Sequence, residues 1–244
     1  MVLLEVCANS IASCIAAEEG GAGRIELCAA LGEGGITPSP GMVKGALESV
    51  DIPVFPIIRP RGGDFLYSDL EVEQMLADIR YLRDLGVHGF VVGALSADGQ
   101  LNKEICRALI EAADGLPVTL HRAFDMSLDL SSTLEVAIDL GFSRILTSGG
   151  KQTAEEGIPI IRSLVHQANA RIEVMAGSGV CVENAQKIAN ETGVRELHGS
   201  FQSMIPSHMA YHNTNISMGG SDLADEYQYP MTDVEKVRAV IRQL

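Results

Sequence analysis

Short apolar runs alternate with longer stretches of helical period along the chain. Runs rich in Ile, Val and Leu occupy 3–7 (LLEVC), 24–28 (RIELC), 53–59 (PVFPIIR), 89–95 (GFVVGAL), 117–124 (PVTLHRAF), 143–149 (SRILTSG), 171–176 (RIEVMA) and 194–200 (VRELHGS). Apolar runs of this length read as strands. The intervening patterns predict helices over 10–20, 40–49, 69–85, 103–114, 130–140, 158–168, 182–192 and 232–243. Ser68 with Glu71, and Thr232 with Glu235, have the spacing of a capping box, in which each side chain takes the other's free backbone N–H. Gly86, Gly115, Gly141 and Gly193 fall where helices should stop. Strand-helix pairs repeated in this way call for parallel strands joined by helical crossovers. Their regular count favours a closed (β/α)8 TIM-type barrel over a doubly wound sheet, with residues 1–244 as a single α/β domain. About thirty residues separate the last strand from the last helix, far more than an ordinary loop. This stretch, 202–230, carries Met204, His208, Met209, His212 and Met218, and is read as a lid or an oligomer contact in preference to a metal box.

The alternation within strands adds a pattern. Leu4-Glu5-Val6-Cys7 matches Ile25-Glu26-Leu27-Cys28, and Ile172-Glu173-Val174-Met175 matches Arg195-Glu196-Leu197-His198. Successive side chains point to opposite faces of a strand. With the aliphatic positions under the helices, Glu5, Glu26, Glu173 and Glu196 point into the lumen, below a layer of Cys7, Cys28, Met175 and His198. Clustered carboxylates repel and are costly to desolvate, so cations are required. Arg24 and Arg171 share strand faces with Glu26 and Glu173, and Arg59 and Arg122 are expected across the barrel. Such a layer reads either as a polar plug of ion pairs that fixes strand register or as a functional site of shifted pKa values.

Composition narrows the function. Eighteen basic against 32 acidic residues give a net charge of −14, and no basic patch offsets it, so nucleic acid is excluded as a partner. The start, MVLLEVCANS, lacks the pattern of a signal peptide, and no apolar run reaches membrane-spanning length. No membrane association is expected. Five cysteines are too few and too scattered for a disulfide framework, which points to the reducing cytoplasm.

Two kinds of chemistry fit the lumen. Cys7 and Cys28 fall on adjacent strands, and two thiolates at strand spacing suit Cu(I), with Met175 or His198 as a third ligand. Cys14 and Cys106 read as buried core residues. Alternatively, His121 and Asp125 share a parity at the end of 117–124 and converge above the lumen, where His serves as the usual acid-base group. The turns Ser148-Gly149-Gly150 and Gly177-Ser178-Gly179 precede helices in the manner of barrel phosphate loops. Arg59 and Arg61 leave the third strand in IRPRGGDFLYSD; Arg61, one step higher, is the better placed for a ligand.

These segments, LEVCANS, RIELCAALGEGGITPSPG, IPVFPIIRPRGGDFLYSD, VTLHRAFDM and RILTSGG, closely resemble the copper homeostasis protein CutC family, nearly end to end through TDVEKVRAV. The resemblance implies a cytoplasmic (β/α)8 barrel. It also implies Cu(I) binding through the cysteines that match Cys7 and Cys28, and a part in copper tolerance or trafficking. The chain departs from the family pattern at Ser178 and Gly199, where relatives carry other small residues. No organic cofactor is expected. The expected partner is a copper ion, and the expected assembly a homo-oligomer, with 202–230 available for contacts. The alternative is an enzyme of lyase, isomerase or hydrolase type acting on a small anionic or phosphorylated metabolite. There Arg59, Arg61 and Arg122 would hold the anion, while His121 and a buried glutamate move protons. The RPRGGDFLYSD turn carries no copper-ligand type, which keeps this alternative open.

Overall fold

The computed structural model describes residues 2–213, 215–216 and 226–244; Met218 lies outside them. Eight parallel strands form the sheet: β1 (Leu3–Ala8), β2 (Arg24–Leu27), β3 (Val54–Pro56), β4 (Phe90–Val92), β5 (Val118–Leu120), β6 (Arg144–Thr147), β7 (Glu173–Gly177) and β8 (Glu196–Gly199). Their order is β3-β2-β1-β8-β7-β6-β5-β4, and a parallel bridge between Ile57 and Val91 joins the two ends. The result is the (β/α)8 barrel expected from the strand count. The helices are α1 (Ile11–Gly20), α2 (Pro40–Ser49), α3 (Asp69–Asp84), α4 (Lys103–Ala112), α5 (Leu130–Leu140), α6 (Ile158–Ala168), α7 (Ala185–Thr192) and α8 (Val234–Ile241).

Alternation builds the core. Leu4, Val6, Ile25, Leu27, Ile145, Val174 and Leu197 face outward from their strands and are buried beneath the helices. On α3, Met75, Ile79 and Leu82 recur at helical spacing and are all buried; each contributes roughly 1.5–3 kcal/mol. Ser68 and Glu71 form the capping box that starts this helix. At α8 the cap is one residue later than the sequence pattern suggests. Asp233 accepts the N–H groups of Glu235 and Lys236, because Thr232 is held in a strand and donates its N–H to Ser13 Oγ.

The long connection also departs from expectation. It contains an antiparallel pair, β9 (Gln202–Pro206) and β10 (Gln228–Thr232), absent from the sequence reading. Among the described residues, no helix is long and apolar enough to cross a membrane.

Candidate functional site

The floor of the lumen is a closed set of ion pairs. Parallel strands of a barrel are staggered, and Glu5 lies level with Arg24 on β2 and with His198 on β8, while Cys7 lies level with Glu26. Carboxylate and sulfur positions therefore interleave around the wall, in place of the two flat layers expected. Arg24 is 4% exposed. Its guanidinium bonds both Glu5 and Glu196, rests on the Phe55 ring and donates to Met175 Sδ at 3.4 Å. Arg144, which the sequence reading did not single out, reaches Glu196 at 3.1 Å and Thr119 Oγ1 at 3.1 Å. Its position two residues before Leu146 on β6, facing inward, was the available signal. Burial pushes the Glu5 carboxyl up, but Arg24 and His198 outweigh it and hold it at about 2.

Above this floor lie the thiols. Cys7 Sγ and Cys28 Sγ are 3.5 Å apart and buried. Donor atoms of Cys7, Glu26 and His198 all lie within 4.8 Å of one another. His198 Nδ1 is 2.8 Å from Glu5 and its Nε2 is 3.3 Å from Glu26. Gly177 makes room for this ring, since a Cβ there would sit 3.1 Å from His198 Cβ. Burial works against the His198 cation, yet Glu26 and Glu5 raise its pKa. Burial raises the pKa of Glu26. The Cys28 contact, burial and Glu26 together raise that of Cys7 well above the ordinary thiol value. Two soft thiols with an imidazole fit Cu(I). Met175 is not available as the third donor, because its sulfur is engaged by Arg24 at the floor.

A cavity of about 110 Å³ opens over Cys7, Glu26 and His198 and reaches Arg59, His121 and Arg122 on the other side. Arg59 donates to the carbonyls of Glu33 at 2.8 Å, Gly35 at 3.0 Å and Gly63 at 2.7 Å. It thus ties the β2 and β3 loops together and does not neutralise the glutamates. The Nδ1 of His121 accepts from the Ala123 N–H at 3.1 Å. Burial and the nearby Arg59 charge push the pKa of His121 down to about 3, so the ring is neutral with its proton on Nε2. Gly93 permits this packing, because a Cβ there would meet His121 Cε1 at 2.7 Å.

Other expected members lie elsewhere. Arg61 turns away from the cavity to Glu71 at 2.6 Å, Asp64 at 3.1 Å and the Leu66 carbonyl at 2.7 Å; the Gly62-Gly63 turn redirects the chain after β3. Glu173, at the start of β7, pairs with Arg195 at the barrel's opposite end, and Arg171 pairs with Glu135 of α5. Asp125 does not converge with His121. The chain leaves β5 in successive turns, with Phe124 N–H bonded to His121 O and Asp125 N–H to Arg122 O, so strand parity no longer applies. Instead the Asp125 carboxylate accepts from Ser148 N–H at 2.9 Å, Gly150 N–H at 3.0 Å and Thr147 Oγ1 at 2.5 Å. It fills the concavity where a phosphate was expected, and Arg122 pairs with it at 2.8 Å. In the second turn, Gly177 ends β7, while Ser178, at φ 81°, bonds the Gln152 carbonyl and receives the Ala154 N–H. Gly179 follows at φ 69°.

The family model for CutC matches residues 2–203. A Mus musculus protein named copper homeostasis protein cutC homolog is 50% identical over 238 residues, covering 98% of this chain and 88% of its own length. A CutC family protein of Bacteroides fragilis is 49% identical over 243 residues, covering 99% and 97%. A solved CutC structure from Streptococcus agalactiae superposes with a TM-score of 0.78 at 39% identity, covering 82% of this chain and 99% of that one. With a family match over most of its length, and a barrel whose inner wall carries the paired thiols, the chain belongs to the CutC family of copper homeostasis proteins.

Proposed function

We propose that the protein binds Cu(I) as cargo through Cys7 and Cys28, with His198 Nε2 as the third donor. The observation that carries this reading is the 3.5 Å approach of the two thiols at the base of a cavity. Thiolates favour Cu(I) over hard cations such as Mg or Ca. His198 supports the assignment, since its Nδ1 engages Glu5 and its Nε2 is directed to the Cys7 and Glu26 side. Metal-binding histidines are commonly oriented by a carboxylate on the second nitrogen. Thiols that bind as thiolates release their protons, so affinity falls as pH falls.

A cytoplasmic location belongs to the same reading, because all five cysteines are free and free thiols persist where the medium is reducing. So does a homo-oligomer, with the exposed Met204, Tyr211 and Tyr229 of the β9–β10 region offering apolar contact surface. The test is a titration of anaerobic, reduced protein with Cu(I) against a competing chelator. Near-stoichiometric uptake that is lost in Cys7→Ser/Cys28→Ser is expected. Unchanged affinity in the double variant would overturn the reading.

A further inference from the structure

The wall of the cavity opposite the thiols holds two donors with nothing to bond. His121 is 3% exposed, and its Nε2 has no hydrogen-bond partner. Arg59 is 5% exposed, and its Nε likewise has none. Both side chains lie against one ring: the Phe65 centroid is 4.8 Å from that of His121 and 5.0 Å from Arg59 Cζ. Leaving a buried donor unbonded costs about 1–3 kcal/mol, and two in one cavity are an unusual expense for a fold to carry unused.

Charge makes the case more specific. Among the described residues, Arg59 has no carboxylate partner; its Nη atoms are met by backbone carbonyls, and its side-chain neighbour is the neutral hydroxyl of the buried Tyr67. Every other lumen arginine is neutralised: Arg24 by Glu5 and Glu196, and Arg144 by Glu196. A buried cation without a counter-ion is costly. An anion accepting from both donors removes both deficits.

We propose that this half of the cavity is a binding subsite for a short-chain carboxylate, whose oxygens accept from Arg59 Nε–H and His121 Nε2–H. A volume of about 110 Å³ has room for roughly seven to eleven non-hydrogen atoms, on the measure by which one water takes about 10–15 Å³. Phosphate esters are disfavoured, since Asp125 already occupies the N–H groups of the Ser148–Gly150 turn. Glu26, on the facing wall, repels a second negative charge placed deep in the cavity. The carboxylate is therefore oriented toward Arg59, with the rest of the ligand toward Cys7 and His198. Neither donor belongs to the thiol set, so the subsite is tested on metal-free protein and its failure leaves the copper reading standing.

The test uses metal-free, reduced protein labelled with 15N-histidine and titrated with pyruvate, lactate, acetamide or inorganic phosphate. Saturable movement of the His121 Nε2 resonance with pyruvate or lactate, and none with neutral acetamide, is expected. His121→Asn keeps an acceptor near the Nδ1 position and removes the Nε2–H; it should weaken carboxylate binding about tenfold, the loss of one charge-assisted bond. Arg61→Lys, outside the cavity, should leave it unchanged. Should His121→Asn fail to fold, the wild-type resonance decides alone. The proposal is overturned if neither carboxylate moves that resonance saturably, if acetamide moves it equally, or if phosphate binds more tightly than both carboxylates.

Discussion

Arg24 is the residue on which the buried charge balance turns. It sits between Glu5 and Glu196, and with it removed both carboxylates lose their main counter-ion. Breaking such a pair from one side costs about 3–5 kcal/mol, so Arg24→Ala should lower the urea midpoint severely. Arg61→Ala removes partly exposed pairs and should cost about 0–1 kcal/mol. The sequence ranks these arginines differently, placing Arg61 at a ligand. Parity along the strand correctly sends Arg59 inward, but what Arg61 meets depends on the path of the turn beyond it, which parity does not describe. His121 gives a pH signature. Its pKa falls from the ordinary 6.5 to about 3 in the folded chain. Below 6.5 the unfolded chain takes up a proton that the native ring refuses, so stability present above 6.5 is lost as pH falls toward 3, by up to about 1.4 kcal/mol per pH unit. Glu5, lowered from 4.5 to about 2, adds its own loss only below 4.5. Urea unfolding between pH 6.5 and 4.5 should therefore show a slope that flattens in His121→Asn.

At the scale of elements, the turn after β6 is held by a carboxylate from the turn after β5. Asp125 takes the backbone N–H groups of Ser148 and Gly150 and the hydroxyl of Thr147. Bonds to a charged acceptor contribute about 1.5–3 kcal/mol each and are not additive. Asp125→Ala should cost about 3 kcal/mol and speed amide exchange at Ser148 and Gly150, with little change in β1. Equal acceleration in both places would show that the contact is not local. The glycines of this turn are visible in the sequence as a phosphate-type signal. Their real occupant was hidden because Asp125 reaches them from a different loop, 23 and 25 residues away. Strand and helix positions were far easier to read: α2, α5 and α6 match their periodic patterns end to end. Strands β3, β4 and β5 are shorter than their apolar runs, since those runs continue into the loops that carry Arg59 and His121.

At the scale of the whole molecule, closure depends on two junctions. One is the bridge between β3 and β4; the other is α8 lying across α1. A Cβ on Gly20 would stand 2.5 Å from Val237 Cβ, so the two helices approach as closely as they do only because Gly20 lacks one. Gly20→Leu should destabilise by about 1–3 kcal/mol or more, read as a lower melting temperature. The barrel itself was legible from eight strand-helix repeats. The stagger between strands was not, because register is set by pairing across the sheet, and it is the stagger that brings Cys7 beside Glu26 and His198 beside Glu5. The central claim is that this arrangement gathers sulfur ligands for copper. The most direct measurement is the Cu K-edge absorption spectrum of the anaerobic Cu(I)-loaded protein. Sulfur in the metal's first shell, lost in Cys7→Ser/Cys28→Ser, is the expected result; a shell of nitrogen and oxygen alone in the wild type would contradict it.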